Sequence, residues 1–248
     1  PELIEKIERG EMTANEAQKL IKQEAKIGER KEKLESAPVA PVWLGKFETG
    51  NLYKTDVTKN EFIEQLPENS VDLIITDPPW DKDALAAYEA AARIASQVLK
   101  PGHFMAIYSG KMFLPEIMNI LCKDLEYVWT FCVFQPDSND KIQKYHIYSS
   151  WRPVILVKKP GKSVDMVWMP DSIKSTRDKR YHEWGQGIEL VERLIGGYSQ
   201  PGEIVLDPFI GCGSTAVAAK QLGRNYIGID ISKEYCELTE KRLKAVGN

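Results

Sequence analysis

Val205-Leu206-Asp207-Pro208-Phe209-Ile210-Gly211-Cys212-Gly213-Ser214-Thr215 reads as a buried strand that breaks into a glycine-rich turn and then opens a helix. Glycine lacks a Cβ, so such a turn lets the backbone approach a ligand closely, and it does so at the carboxyl end of a sheet. The next apolar run, Tyr226–Ile229, ends in Asp230, seventeen positions after Gly213. A carboxylate there is placed to accept from both hydroxyls of a ribose. Strand, turn, helix, strand and acid together describe half of an α/β nucleotide-binding unit. Taken alone, the glycine turn also suits a NAD-binding dehydrogenase.

Working outward, apolar runs alternate with helical stretches. Strands are expected at Val71–Thr76, Phe104–Tyr108, Tyr127–Phe134, Val154–Val157, Ile204–Leu206 and Tyr226–Ile229. Helices are expected at Ala84–Leu99, Phe113–Leu121, Gly187–Ile195, Thr215–Leu222 and Lys233–Val246. This is the α/β pattern of a mostly parallel sheet with helices on both faces. A length of 248 residues suits one such domain, from about residue 47 to 248, with a small appendage. Residues 1–35 carry sparse apolar positions at helical spacing, and Thr13-Ala14-Asn15-Glu16 has the form of a capping box, so two short helices are expected there. Ser36 to Pro41, within a linker placed at 36–46, is rich in proline and alanine. Pro1 stands where methionine would open a chain, so a processed or truncated chain is expected.

A second motif, Asp77-Pro78-Pro79-Trp80, follows directly on the apolar strand Val71–Thr76. Two prolines stiffen the turn and donate no N–H, so a carboxylate and carbonyl oxygens are left as acceptors at a strand end, beside the flat face of tryptophan. Such a set can hold an amino group attached to an aromatic ring. The bland alternative is a rigid loop with an exposed tryptophan.

The net charge of −3 hides an asymmetry: residues 141–182 hold ten Lys/Arg against three Asp, a local +7, leaving −10 for the rest. That is either a footprint for a polyanion or a solvated loop. Residues 1–35, with nine acids and eight bases, do not read as a nucleic-acid-binding arm. Cys122, Cys132, Cys212 and Cys236 are dispersed without C-x-x-C pairs or a histidine cluster, so neither a metal site nor a disulfide framework is expected. With no apolar run of the length a membrane span needs and no signal-peptide pattern, a cytoplasmic setting is expected.

DPPW after a strand, followed downstream by DPFxGxGST, resembles the β-class amino-methyltransferases, from about Asn51 to the C-terminus. The resemblance implies a Rossmann-like, S-adenosylmethionine-dependent methyltransferase fold, circularly permuted so that the catalytic half precedes the cofactor-binding half. It implies catalysis by Asp77, Pro78, Pro79 and Trp80, and a prokaryotic or phage-like DNA adenine-N6 methyltransferase, since Asp at the first position of the tetrad goes with adenine N6 in these families. The cofactor set it implies is Asp56, Val57, Asp77, Gln186, Asp207, Phe209, Gly211, Gly213, Ser214, Thr215, Asp230 and Ile231. Thr55 stands where the family more often has Gly. Around Gln186 the H-x-x-Q-K-P turn of the family has lost its lysine and proline.

In related enzymes the target-recognition region lies between the halves, here residues 158–181. Lys174, Arg177, Lys179 and Arg180 are the expected phosphate contacts, and Tyr145-His146 and Trp151-Arg152 are further candidates. The region is short, so either the recognised sequence is brief or a second copy or an upstream domain helps. Two other readings stay open: an RNA adenine-N6 methyltransferase, in which DPPW also occurs, and an inactive nucleic-acid-binding partner subunit of the same fold.

Overall fold

A computed structural model describes residues 43–44, 47–48, 50–59, 66–79, 84–135, 140–174 and 188–246. All of them fall within one unit, Val39–Asn248. In chain order they form strands β1 (Trp43–Leu44), β2 (Phe47–Glu48), β3 (Asn51–Lys54) and β4 (Val71–Thr76), helix α1 (Ala84–Val98), β5 (Leu99–Tyr108), α2 (Leu114–Leu121) and β6 (Glu126–Phe134). There follow β7 (Asp140–Ile142), β8 (Ile147–Ser149), β9 (Trp151–Lys158), β10 (Ser172–Lys174), α3 (Ile188–Tyr198), β11 (Ile204–Asp207), α4 (Ser214–Gln221), β12 (Asn225–Asp230) and α5 (Lys233–Ala245).

Eight strands form the central sheet in the order β10-β6-β9-β5-β4-β11-β12-β3. Every neighbouring pair is parallel except those of β9, which runs antiparallel to both β5 and β6. The carboxyl ends of all the other strands therefore share one rim. β4 shows why the apolar runs signalled strands: all six of its residues are buried, as expected for a parallel strand covered on both faces. Because strand side chains alternate, Ile74 packs into the layer under α1 and α2. Leu73 and Ile75 pack into the layer under α3. Alanine dominates the buried face of α1, which favours helix and lets its backbone lie close to the sheet.

The charged residue in β4, Asp72, is tied at the opposite, amino-terminal rim. Its carboxylate meets Lys100 Nζ at 2.6 Å and accepts the Ile204 N–H at 3.0 Å. His103 and Glu203 lie beside it, but lysine and backbone already take its oxygens, so the cluster joins β4, β5 and β11.

The structure corrects several boundaries. Trp43–Leu44, expected in the linker, pair with Phe47–Glu48. β3 was not expected, since Asn-Leu-Tyr-Lys is too polar to read as a strand; it is an edge strand paired with β12. β5 begins at Leu99, ending the preceding helix one residue early. The segment 158–174 contributes β10 to the sheet by pairing with β6. Its first lysines face away from the carboxyl rim: Lys159 Nζ donates to Gln97 O at 3.0 Å, at the end of α1. Residues 1–35, and with them the expected appendage, lie outside the described residues.

Candidate active site

At the carboxyl rim a cavity of about 960 Å³ runs from the end of β3 to the start of the antiparallel β9, lined among others by Asp56, Asp77, Tyr108, Arg152, Asp207 and Asp230. This volume is at the upper end of the usual small-molecule range. Each wall is built locally. After β11 the chain turns so that the Gly213 N–H donates to Ile210 O at 2.9 Å and the Gly213 carbonyl begins α4 by accepting the Val217 N–H at 3.0 Å. Gly213 has φ +85°, a conformation that costs other residues about 1–2 kcal/mol. An added Cβ there would lie 2.4 Å from Thr239 Cγ2. The Thr239 hydroxyl in turn donates to Gly211 O at 3.0 Å, so α5 braces the turn from below. Gly213 itself is buried and does not line the cavity; its part is to shape the turn.

Asp230 locks the turn from the other side. Its Oδ2 accepts the Gly211 N–H at 3.0 Å and its Oδ1 the Ser232 N–H at 2.8 Å. Each oxygen keeps a second lone pair, so the carboxylate can hold the turn and still accept from a ligand hydroxyl. β3 brings Asp56 alongside, because the Thr55 N–H donates to Asp230 O at 3.0 Å. The Thr58 hydroxyl, at 2.6 Å, and the Thr58 N–H, at 3.0 Å, both donate to Asp56 Oδ1 and hold its carboxyl below the usual range. Val57, Phe209 and Ile231 add apolar surface to this end of the cavity.

Asp77, Pro78 and Pro79 form the middle of the cavity at the end of β4. Beside them Asp207 is buried, and its Oδ1 accepts the Thr76 hydroxyl at 2.8 Å and the Phe209 N–H at 3.1 Å. Burial pushes its carboxyl up to about 7; the bonds from Thr215, Thr76 and Phe209 oppose this, while the nearby charge of Asp77 adds to it. Tyr108, also buried, is pushed well above the usual phenol range by burial and by Asp77. At the far end, buried Arg152 is the one Lys or Arg among the described residues lining the cavity, which otherwise holds four aspartates. Ser214 and Thr215, at the start of α4, complete the lining. Trp80, Gln186, Arg177, Lys179 and Arg180 lie outside the described residues; Lys174 is exposed at the carboxyl end of β10. Sequence reading did not assign Tyr108, Arg152 or Tyr235 to this cavity, since nothing local marks a residue of one strand as the neighbour of another strand's motif.

Comparison with known proteins places this geometry. Residues 134–241 match the DNA methylase family model of the N6/N4 type. The Type II methyltransferase M.HpaI of Haemophilus parainfluenzae is 30% identical over 227 residues, covering 75% of this chain and 72% of that protein. The chain belongs to the N6/N4 DNA methylase family. Another relative, the DNA adenine methyltransferase YhdJ of Escherichia coli strain K12, is 27% identical to this methylase over 78% of the chain and 84% of its own length. Among solved structures, the M1.HpyAVI–SAM complex superposes with a TM-score of 0.62 at 27% identity, over 78% of this methylase and 99% of that chain. The α/β sheet with helices on both faces is thus the Rossmann-like methyltransferase fold. No helix among the described residues of the methylase is long and apolar enough to cross a membrane.

Proposed function

We propose that this methylase transfers a methyl group from S-adenosylmethionine to the N6 amine of an adenine flipped out of DNA. The observation that carries the reading is that Asp77-Pro78-Pro79 and the Gly211 turn with Asp230, distant in sequence, line one cavity. The residues fit the cofactor chemically. The Asp230 carboxylate suits ribose hydroxyls, apolar Val57, Phe209 and Ile231 suit a purine ring, and Asp207 suits the cationic end of the cofactor. When bound, S-adenosylmethionine supplies the electrophilic methyl. The carboxylate of Asp77 and the carbonyl of Pro78 accept the two N–H bonds of the amine, which draws its lone pair out of the ring. Trp80 stacks on the base. Catalysis is then mostly positioning and electrostatics, with reactants held near 3–3.5 Å. A base inside a duplex cannot reach such a cavity, so flipping is required, at a cost of roughly a few kcal/mol.

Gln186 and the remaining cofactor residues complete the site in this reading, and Lys174, Arg177, Lys179 and Arg180 meet phosphates. The halves follow one another in permuted order, Asp77 before Gly211, within a catalytic domain of residues 47–248. Residues 1–35 form an appendage, a second copy or upstream domain assists recognition, and the reaction takes place in the cytoplasm. The adenine assignment rests on Asp77 and on the likeness to YhdJ. The deciding experiment is transfer of labelled methyl to double-stranded DNA, single-stranded DNA and RNA, with nucleoside analysis. N6-methyladenine in DNA is expected; N4-methylcytosine or label confined to RNA would overturn the reading.

Two predictions follow from the charges in the cavity. Arg152 is the expected partner of the cofactor carboxylate. Loss of a charge-assisted bond costs roughly 1.5–3 kcal/mol. Arg152→Gln is therefore expected to weaken S-adenosylmethionine binding about ten- to a hundredfold in calorimetry. Binding of methylthioadenosine, which has no carboxylate, is expected to stay unchanged. An equal loss for both ligands would assign Arg152 to the fold instead.

Asp207 yields the second. Its folded value of about 7 lies above that of an unfolded aspartate. The group's contribution to stability therefore falls as pH climbs from about 4 to about 7 and is level above that. A cation bound beside it favours the carboxylate, so binding near pH 6.5 is expected to release about half a proton or more and to strengthen towards pH 8. Calorimetry in buffers of different ionisation enthalpy reads the release directly. It should vanish at about pH 9 and in Asp207→Asn.

A further inference from the structure

From the end of β6 the chain leaves the sheet as a separate hairpin, β7–β8, and returns at β9. Because β6 runs parallel to β4 and β5, this hairpin stands on the same rim as the cavity. Its root is tied there: the Gln135 N–H donates to Ser150 O at 2.7 Å, and Lys111, from the loop after β5, donates to Trp151 O at 2.8 Å and to the Ser149 hydroxyl. Arg152, the next residue, lines the cavity. The hairpin bears large apolar side chains facing water, with Tyr145 53%, Ile147 54% and Tyr148 69% exposed. Each tyrosine ring carries a lysine: Lys141 lies 5.6 Å from the Tyr148 ring centre and Lys144 5.1 Å from that of Tyr145. Lys111 sits likewise over Trp151, at 4.7 Å.

Exposed apolar surface of this kind is unfavourable in water and marks a contact surface. Flat rings beside ammonium groups match stacked bases beside phosphates. Charge points the same way, since the body of the chain is acidic and the surplus of base lies in residues 141–182. Within that stretch Lys158 and Lys159 lie at the opposite end of the sheet, one paired with Glu126 at 2.8 Å and the other bonded to the end of α1. Among the described residues of that stretch, Lys141, Lys144 and Lys174 remain at the rim, with Arg152 in the cavity.

We propose that the β7–β8 hairpin grips duplex DNA next to the target adenine, with Tyr145 and Tyr148 stacked on the bases opened by flipping and Lys141 and Lys144 on the flanking phosphates. The assignment rests on DNA being the substrate. The test is fluorescence anisotropy on a labelled duplex carrying the site mapped by methyl transfer, for Y145A/Y148A, Y145F/Y148F and K141A/K144A, with S-adenosylmethionine affinity measured on each variant. Removal of stacking rings is expected to weaken the duplex complex at least about tenfold, with cofactor affinity unchanged and the phenylalanine pair binding as wild type does. Removal of the two lysines is expected to lower the slope of log K against log salt by about 2. Duplex affinity within twofold of wild type for both alanine pairs would overturn the proposal. So would unchanged DNA binding with loss of a dimer in sedimentation, which would make the hairpin an interface between copies. Wild-type protein that binds the cofactor but no DNA would instead overturn the DNA reading, and this proposal with it.

Discussion

Asp77→Ala is expected to lower the rate of methyl transfer about 10²- to 10³-fold or more, the loss typical of removing one group that stabilises developing charge, while S-adenosylmethionine affinity changes little. The separation follows from the fold. Asp77 sits at the end of β4, whereas the turn held by Asp230 and Thr239 and the apolar residues Val57 and Ile231 belong to β3, β11, β12 and α5. Pro78 keeps its carbonyl in the variant, so one of two acceptors for the amine survives and the other goes. Asp77→Asn is expected to be less damaging than Asp77→Ala, because the amide keeps a carbonyl oxygen that accepts from the amine while the charge is lost. Single-turnover transfer measured beside calorimetric binding checks both variants. Equal loss of binding and transfer would show that Asp77 belongs chiefly to the cofactor site. Loss of the Asp77 charge also removes one cause of the raised value of Asp207, so proton release on binding should shift to lower pH in the same variant.

Gly213→Ala is expected to damage binding and stability together. The backbone there has φ +85°, and the new methyl would meet Thr239 Oγ1 at 2.6 Å and Cγ2 at 2.4 Å. Left-handed strain of roughly 1–2 kcal/mol adds to an overpacking cost of typically 1–3 kcal/mol. The midpoint of thermal unfolding should drop by several degrees, at roughly 2–4 °C per kcal/mol for a chain of this size. Thr239 is the residue that braces Gly211, so a displaced Thr239 loosens the turn that faces the ligand, and cofactor affinity should fall at least about tenfold. Gly213→Ala with Thr239→Ala removes the two shortest contacts and leaves the Cβ of residue 239 at 2.9 Å, but it also removes the hydroxyl bond to Gly211. Stability should therefore recover in part and affinity should not. An alanine variant that binds and melts as wild type does would mean that the turn is not held as described.

Much of this was legible along the chain because the deciding physics is local. A strand ending in Asp207 and broken by Pro208, Gly211 and Gly213 has few ways to continue, and a strand ending in Asp77 followed by two prolines exposes acceptors whatever surrounds it. The cores of β4, β5, β11 and β12 read as apolar runs because both of their faces are covered. Less legible were strands whose partners make them. Asn51–Lys54 is polar and becomes β3 only by pairing with β12, and Ser172–Lys174 becomes β10 only by pairing with β6.

The sequence by itself determined the fold class, the two motifs and the chemistry those residue types can perform, since turn conformation, strand burial and the donor or acceptor nature of a side chain need no distant partner. Tertiary structure alone decided which residues meet. It brought Asp56 beside Asp230, set Tyr108 and Arg152 into the cavity, and reversed β9 between β5 and β6. It also sent Lys158 and Lys159 to one end of the sheet while raising the β7–β8 hairpin at the other. The physical reason is that side-chain alternation reports only whether a residue faces in or out. Which strand lies next to which, and which end faces the ligand, is set by packing between segments far apart in the chain.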